Sequence, residues 1–417
     1  MTEVHEQRLA VFFDAQAVSI MSLVENLPDR CRLVWVVGWS VGDPAHRMLA
    51  RFGDVVDVTG LNEDESASRV VSAAPDGVVV FNDAPIMIAS RVATQLGLSF
   101  HDPHTALLLT DKFEQRTALS HAGITVPAFA GVSASDEESP VPFPAVLKPR
   151  HGAGSRDTFV VDNFEQVKQI LTSVDSSEEF VLEEWLADRP GPRRTSSDIV
   201  SVESVVQGDA IDHVTITGRF VFAPPCRETG SFVPSDVERS VGDDVRTLAG
   251  DAIRALGIRS GIVHTEIKVT PSGPRVIEVN GRLGGAIGQL VTRVGGPSLT
   301  AWAMRLALGR EVGRVPGVGD SPVAYYRMIV PPVSATRFVE VTGVESLRHL
   351  AGVEDVQVNL RPGQSVDYRR GSWSQNALRI VGAVENHDDL SLLIDHEIPS
   401  ALQLTWESDG GSSGQQP

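Results

Sequence analysis

The chain has 417 residues, 42% of them hydrophobic and 22% charged, the balance of an ordinary globular protein with room for about three domains of roughly 150 residues. A formal net charge of -18 excludes nucleic acid or an anionic membrane as the main partner, since both require basic surface, and leaves open a small anion at a local positive site. Cys31 and Cys226 make no metal-ligand spacing and read as free thiols in a reducing compartment, with Cys31 opening a buried strand. The N-terminal MTEVHEQRLAVFFD is neither a secretory signal nor an anchor, and no window reaches the ~18 apolar residues of a spanning helix, so a cytoplasmic protein is expected.

Between residues 9 and 102, short apolar runs alternate with amphipathic stretches. Strands are predicted over 9–13, 33–37, 55–58, 77–81 and 98–100, with helices over 17–26 and 85–96 among them. That rhythm describes a parallel, doubly wound, Rossmann-like α/β domain over 1–105. Asp14, Gly38, Asn82 and Asp83 follow strand ends, where open α/β sheets bind ligands, but no GxGxxG follows the first strand, so a dinucleotide is not expected. A single helix is predicted to begin near Pro103 and to run through Lys112 to Gly123, with Pro127 just beyond.

The polar stretch 133–142 is a loop leading into FPAVLKPRHGAGSRDTFVV, read as strand, Gly-rich turn and strand. Lys148 ends the first strand, and Gly152, Gly154 and Ser155 permit a tight loop whose backbone N–H groups can face phosphate oxygens. It is not a Walker A sequence, because the lysine precedes the glycines and a strand follows them; a plain Gly-rich hairpin fits the same residues. After a helix over 163–174, EFVLEEWL runs an apolar strand into Glu183 and Glu184, where backbone and a carboxylate can read the edge of an adenine. Loop 189–197, rich in Pro, Gly, Arg and Ser, is expected to be a mobile joint. Antiparallel strands over 198–207 and 210–222 come next, with Glu203 on the polar side of the first. The stretch CRETGSFVPSD reads as irregular, and 236–256 as a helix with one apolar stripe of Val237, Val241, Val245, Leu248, Ala252 and Leu256.

HTEIKVTPSGPRVIEVNGRLGG, from His264 to Gly285, is the most informative stretch. It reads as two alternating strands around a Thr-Pro-Ser-Gly turn, with Ile262, His264, Glu266 and Lys268 on one face of the first. Glu278, Asn280 and Arg282 share a face of the second, with Ile277, Val279 and Leu283 opposite. A hairpin centred on Ser272 sets Glu266 across from Glu278 and His264 across from Asn280. Two carboxylates about 5 Å apart repel by roughly 3 kcal/mol at an effective dielectric of about 20, so something must offset them. A divalent cation would do so, since two carboxylates and an amide oxygen are the hard ligands Mg²⁺ takes when it also binds phosphate, with Arg282 beside them for a phosphate or carboxylate. Pairing with Lys268, Arg275 and Arg282 on a solvated surface is the other reading of the same face. A helix over 297–308 follows, packing the hairpin from behind.

Beyond Gly309 the pattern weakens to short strands over 323–330, 338–341, 356–359 and 377–384 and a helix near 390–394, with 408–417 expected to be disordered.

The order of these parts resembles the ATP-grasp superfamily: a helical lysine, a strand-end lysine before a Gly/Ser loop, an acidic strand end, then Glu, eleven residues and Glu-x-Asn-x-Arg. The string GxxHxExKxTxxGxxxIEVNxRLGG, from Gly261, is most similar to the carboxylate–amine ligase branch that joins L-amino acids. The resemblance implies two α+β subdomains clasping ATP, over 106–186 and 187–310, between the N-terminal domain and a small C-terminal α+β domain over 311–407. It implies that Lys112, Lys148 and the loop with Gly152, Gly154 and Ser155 bind ATP phosphates, and that Glu183, Glu184, Trp185 and Leu186 form the adenine hinge. Glu266, Glu278 and Asn280 would hold Mg²⁺, usually a pair of ions, with Mn²⁺ able to substitute, while Arg282 and Lys148 act in catalysis. His264, Glu203, Ser231, Gly284 and Gly285, with Arg282, are the substrate candidates. The implied activity is ATP-dependent amide formation between a small carboxylate and an amine through an acyl phosphate, in specialised metabolism; an ATP-grasp carboxylase or a nucleotide-binding regulator are the alternatives. A homodimer rests on analogy alone. One departure concerns the substrates: where dipeptide-forming relatives are expected to carry a histidine between Gly230 and Pro234, this chain has Ser231, Phe232 and Val233.

Overall fold

The computed structural model describes residues 6–14, 17–38, 43–175, 177–191, 195–408 and 414–416. Its first sheet is parallel and built from β1 (Gln7–Phe12), β2 (Cys31–Val37), β3 (Gly53–Asp57) and β4 (Gly77–Val80) in the order β3-β2-β1-β4. Both faces are covered, which is why β1 and β2 read as unbroken apolar runs: Ala10 and Phe12 enter one core, and Leu9, Val11 and Phe13 another. The strand predicted over 98–100 does not form. The helix Ile86–Leu96 ends at left-handed Gly97, and Phe100 packs against His101 instead of joining the sheet.

The single helix predicted from Pro103 to Gly123 is two, Pro103–Thr110 and Lys112–His121. Asp111 breaks it: its backbone is extended, and its side chain accepts from the N–H groups of Phe113 and Glu114, which caps a new helix. Next come β5 (Phe129–Val132), β6 (Ala145–Pro149), β7 (Phe159–Val161) and β8 (Phe180–Glu184), an antiparallel sheet in the order β5-β8-β6-β7 with the helix Phe164–Ser173 on it. The Gly-rich segment joins β6 to β7, as expected.

Beyond the joint, β9 (Ser196–Gln207), β10 (Ala210–Phe220), β11 (Gly230–Val233), β12 (Ser260–Thr270), β13 (Gly273–Asn280) and β14 (Val323–Ile329) belong to one large sheet. Residues 192–194 of the loop expected to be mobile lie outside the described residues; on its flank Arg189 Nε donates to Asp198 Oδ1 at 2.8 Å. The chain then forms β15 (Ala335–Thr342), β16 (Val353–Val358), β17 (Leu378–Val384), β18 (Gln403–Ser408) and β19 (Gly414–Gln416). The large sheet has eight strands in the order β13-β12-β9-β10-β11-β14-β17-β16, so it crosses the boundary expected at 310: β14, β16 and β17 join it, while β15, β18 and β19 form a separate three-stranded sheet. The joint is β11, in the stretch predicted irregular. It is four residues long, too short for a period-2 signal, and fully buried between β10 and β14. Gly230 makes that seam possible: its φ is 133°, and a Cβ there would sit 2.1 Å from the Tyr326 carbonyl oxygen. Residues 414–416, within the tail expected to be disordered, pair with β18.

The helices Arg239–Ala255 and Leu299–Ala307 lie where their apolar stripes predict, the first in the core shared with β12 and β13, the second packed on β12 and β4. Among the described residues no helix is long and apolar enough to cross a membrane.

Gly230→Ala should cost about 2 to 4 kcal/mol, because both the backbone strain and the overlap fall on a buried seam. A thermal melt compared with that of Gly208→Ala, whose Cβ meets nothing within 4 Å, checks this; equal melting temperatures would refute the role given to the seam.

Candidate active site

Three of the four sheets leave a cleft of about 1520 Å³ between them, lined from the N-terminal sheet by Asp14, Asn82 and Asp83, from the β6–β7 loop by Gly152, Gly154 and Ser155, and from the hairpin by His264, Glu266 and Glu278. The hairpin register is the one expected: Glu266 faces Glu278, and His264 faces Asn280. A bulge follows at once, between Glu266 and Ile267, after which Ile267 pairs with Val276. The extra residue is Ile277, which therefore lines the cleft next to Glu278 rather than lying on the opposite face, and Val276 takes its place in the core.

Glu278, Glu183, Glu266, Glu228 and Asp83, all in the cleft lining, are each paired with a cation. Lys112, the first residue of its helix, sends Nζ to Glu278 Oε1 at 3.3 Å and also donates to the Gly152 carbonyl. Lys148 Nζ lies 2.8 Å from Glu183 Oε2, and Arg116 Nε 3.1 Å from Glu183 Oε1. Arg219, on β10, divides its guanidinium between Glu266 Oε1 at 2.8 Å and Glu228 Oε1 at 2.6 Å. Arg282 grips Asp83 with both arms, Nε at 3.0 Å and Nη2 at 2.6 Å, and also donates to Asn280 Oδ1 at 3.3 Å. Asp83 thus reaches from the end of a parallel strand to the hairpin, which is what its place after β4 offered.

Burial alone would push the Glu266 carboxyl up; Arg219, His264 and Arg282 outweigh it and hold it well below the ordinary carboxylate range. His264 is buried too, which disfavours its charge, yet Glu203 at 2.8 Å from Nδ1 and Glu266 at 3.3 Å from Nε2 hold the imidazolium to about 9. Arg219 Nη2 lies 2.9 Å from the same Nε2, so the ring is shared among two carboxylates and a guanidinium.

Several expected residues take other places. Glu203 is fully buried under the cleft, bonded to His264, Ser201 and Thr217, and supports the histidine rather than facing a ligand. Ser231 is also fully buried and donates to Glu228. Gly284 packs under His264, where a Cβ would sit 2.6 Å from Nδ1, while Gly285 lines the cleft. Glu183 turns its carboxylate to Arg116 and Lys148. Glu184 accepts from the Ala128 N–H at 3.1 Å, Trp185 N–H donates to the Pro144 carbonyl, and Glu183, Glu184, Trp185 and Leu186 all line the cleft. Asn280 lies just behind the lining, its amide oxygen turned to Arg282. Cys226, a free thiol as expected, lines the cleft and accepts from Ser155 Oγ through its carbonyl oxygen.

Sequence reasoning missed Arg116, Arg219, Glu228, Tyr326 and Trp373. Glu228 was within two residues of Gly230, and alternation along β10 puts Arg219 on the face of Thr215 and Thr217; neither clue names a partner. Tyr326 and Trp373 carried no local signal.

Residues 109–286 match the sequence model of the ATP-grasp domain, so the chain contains an ATP-grasp domain. Over 361 residues, 82% of this chain and 83% of the relative, it is 22% identical to the L-arginine-specific L-amino acid ligase of Bacillus subtilis. In fold it is similar to the L-amino acid ligase from Bacillus licheniformis, with a TM-score of 0.80 at 16% identity over 97% of this chain and 100% of that one. It is also similar to the carboxyaminoimidazole ribonucleotide synthase from Aspergillus clavatus complexed with ATP, with a TM-score of 0.71 at 14% identity over 94% and 98% of the two chains.

Burial raises the Glu183 carboxyl, but Arg116 and Lys148 hold it below its ordinary value of 4.5, so its ionised form stabilises the fold above that pH. The contribution is lost as pH falls through the lowered value. Glu183→Gln should cost about 3 kcal/mol at pH 7 by leaving two buried cations short of charge, and should flatten the acid limb of stability below pH 4.5. Urea unfolding at pH 7 and pH 3 measures both; an unchanged acid limb would show that the pair is not what acid breaks.

Proposed function

We propose that this protein is a carboxylate–amine ligase that phosphorylates a small, amino-acid-like carboxylate with ATP and joins it to an amine. The observation that carries the reading is the convergence on one cleft of Lys112, Lys148, Arg282 and the opposed pair Glu266 and Glu278.

The donors present fit a divalent cation. Two carboxylates opposed across a ladder, with the Asn280 amide oxygen next in register, are hard oxygen ligands; among the described residues no group of three or more His, Cys, Asp or Glu is gathered to hold a metal ion, here or elsewhere, so the two carboxylates and the amide are the whole donor set. Bound there, Mg²⁺ would neutralise phosphate oxygens. The chain's own residues do the rest. Lys148, oriented by Glu183, and Lys112, released from Glu278, are within the cleft to take phosphate oxygens. Arg282 has a guanidinium fork arranged for two oxygens of one anion, a carboxylate or a phosphate, and the Asp83 carboxylate sits in that fork. The fork would pass from Asp83 to the transferring phosphoryl group and then to the acyl phosphate. The amine attacks that carbonyl, the C–O bond to the phosphate breaks, and the amine's proton leaves with the departing phosphate. The Gly152 to Ser155 backbone excludes water from the acyl phosphate.

The experiment is a matrix of amino acids, small carboxylates and bicarbonate against amines, read by ADP release and by mass spectrometry of the product. Amino-acid pairs should release ADP and give an amide; release with bicarbonate alone would move the protein to the carboxylases. Glu278→Gln and Arg282→Ala should each lower substrate-dependent ADP release by about 100-fold or more with the fold intact, and near-parental turnover in either would refute the assignment of the site.

A further inference from the structure

The C-terminal strands were given no part in the reaction, yet the segment before β17 enters the cleft. Trp373 lines it together with Arg219, Glu228 and Tyr326. The indole Nε1 donates to Glu228 Oε2 at 3.3 Å, and the ring lies 5.6 Å, centre to centre, from that of Tyr326. On one side, a Cβ on Gly285 would come 3.0 Å from the indole; on the other, a Cβ on Gly154 would come 3.5 Å from Cδ1. The ring therefore stands between the Gly-rich loop and the strand end that carries Arg282. Its one polar atom is spent on Glu228, so what remains toward the cleft is apolar.

The carrier of this ring is fixed in place. Asn376 donates to the carbonyls of Ser372 at 3.0 Å and Trp373 at 2.9 Å, clamping the turn on itself. The segment is also stitched to the phosphate loop, by Ser372 N–H to the Gly154 carbonyl at 3.3 Å and by Asp157 N–H to the Arg369 carbonyl at 2.8 Å. Gly371, at φ 82°, allows the approach, since a Cβ there would lie 2.3 Å from the Gly154 oxygen. A flexible side chain on a free loop would yield to a large substrate; a ring held from three directions does not.

We infer that Trp373 is a specificity-determining residue: its indole is the end wall of the substrate compartment and sets the size of side chain that the substrate next to Arg282 can carry. The inference rests on the ligase reading and adds to it a role for the C-terminal strands. A wall acts by exclusion, so shrinking it should admit larger apolar side chains without touching the nucleotide.

The test is the series Trp373→Phe, Trp373→Leu and Trp373→Ala, assayed as full chains with amino acids of graded side-chain size at saturating ATP. From Phe to Ala, kcat/KM for bulky side chains should rise by about tenfold or more relative to small ones, through KM, with the KM for ATP unchanged. A preference order identical to the parent's in every variant that releases ADP would overturn the inference. So would variants that bind ADP as the parent does but release none with any pair, because Trp373 would then serve the chemistry and not the choice. A parent silent across the whole panel would instead remove the ligase reading itself.

Discussion

Two glutamates directly opposed on a β-ladder constrain everything around them. Glu266 and Glu278 repel, and the fold offsets this by bringing a cation to each from outside the hairpin: Arg219 from β10, two strands away from β12, and Lys112 from a helix start. The same solution recurs at Glu183 with Lys148 and at Asp83 with Arg282. The cleft is thus a set of charge pairs whose members are those a metal nucleotide would separate, with carboxylates turning to the cation and lysines and arginine to phosphate. Desolvated charges of this kind are costly unless paired, so the resting pairs keep the site folded while holding its groups near their working positions.

That arrangement needs three of the four sheets. Asp83 comes from the parallel sheet, Lys148 and Glu183 from the second, and Arg219, Glu266 and Glu278 from the large one. The inner cores run through their junctions rather than stopping at them: β1 contributes to one core with the hairpin and to another with the helices Ile287–Arg293 and Leu299–Ala307. The C-terminal strands extend the large sheet past β11, which brings Tyr326 and Trp373 to Glu228. Ser231, standing where a histidine was expected, takes part in that buried cluster through its hydroxyl.

How much of this was legible in the sequence varies with the range of the interaction. The alternation of the hairpin, its turn and the separation of its acids fixed the facing of Glu266 and Glu278, because register follows from period 2 and turn position. The bulge at Ile277 did not show, since it depends on what β12 pairs with on its other edge. Asp111 carried a capping signal, with Glu114 three residues on, that the apolar pattern of the long helix overrode. Glu203 looked like a ligand residue because a strand's polar side does not say whether water or a buried histidine lies beyond it. Glu183 was read toward adenine for the same reason, with Arg116 hidden on a helix nearly seventy positions earlier.

Local chemistry, then, was written in the chain itself: which residues alternate, where the glycines allow a tight loop, and which acids, lysines and arginine stand at strand and helix ends. These determined the class of fold and the parts of a nucleotide cleft, because spacing along a strand or helix is set by backbone geometry. Partnership was decided only in three dimensions. That Arg282 faces Asp83, that Arg219 serves Glu266, and that a tryptophan from the last third of the chain closes the cleft depend on sheet order and on packing between distant segments, where free energy is shared among residues with no fixed separation in sequence.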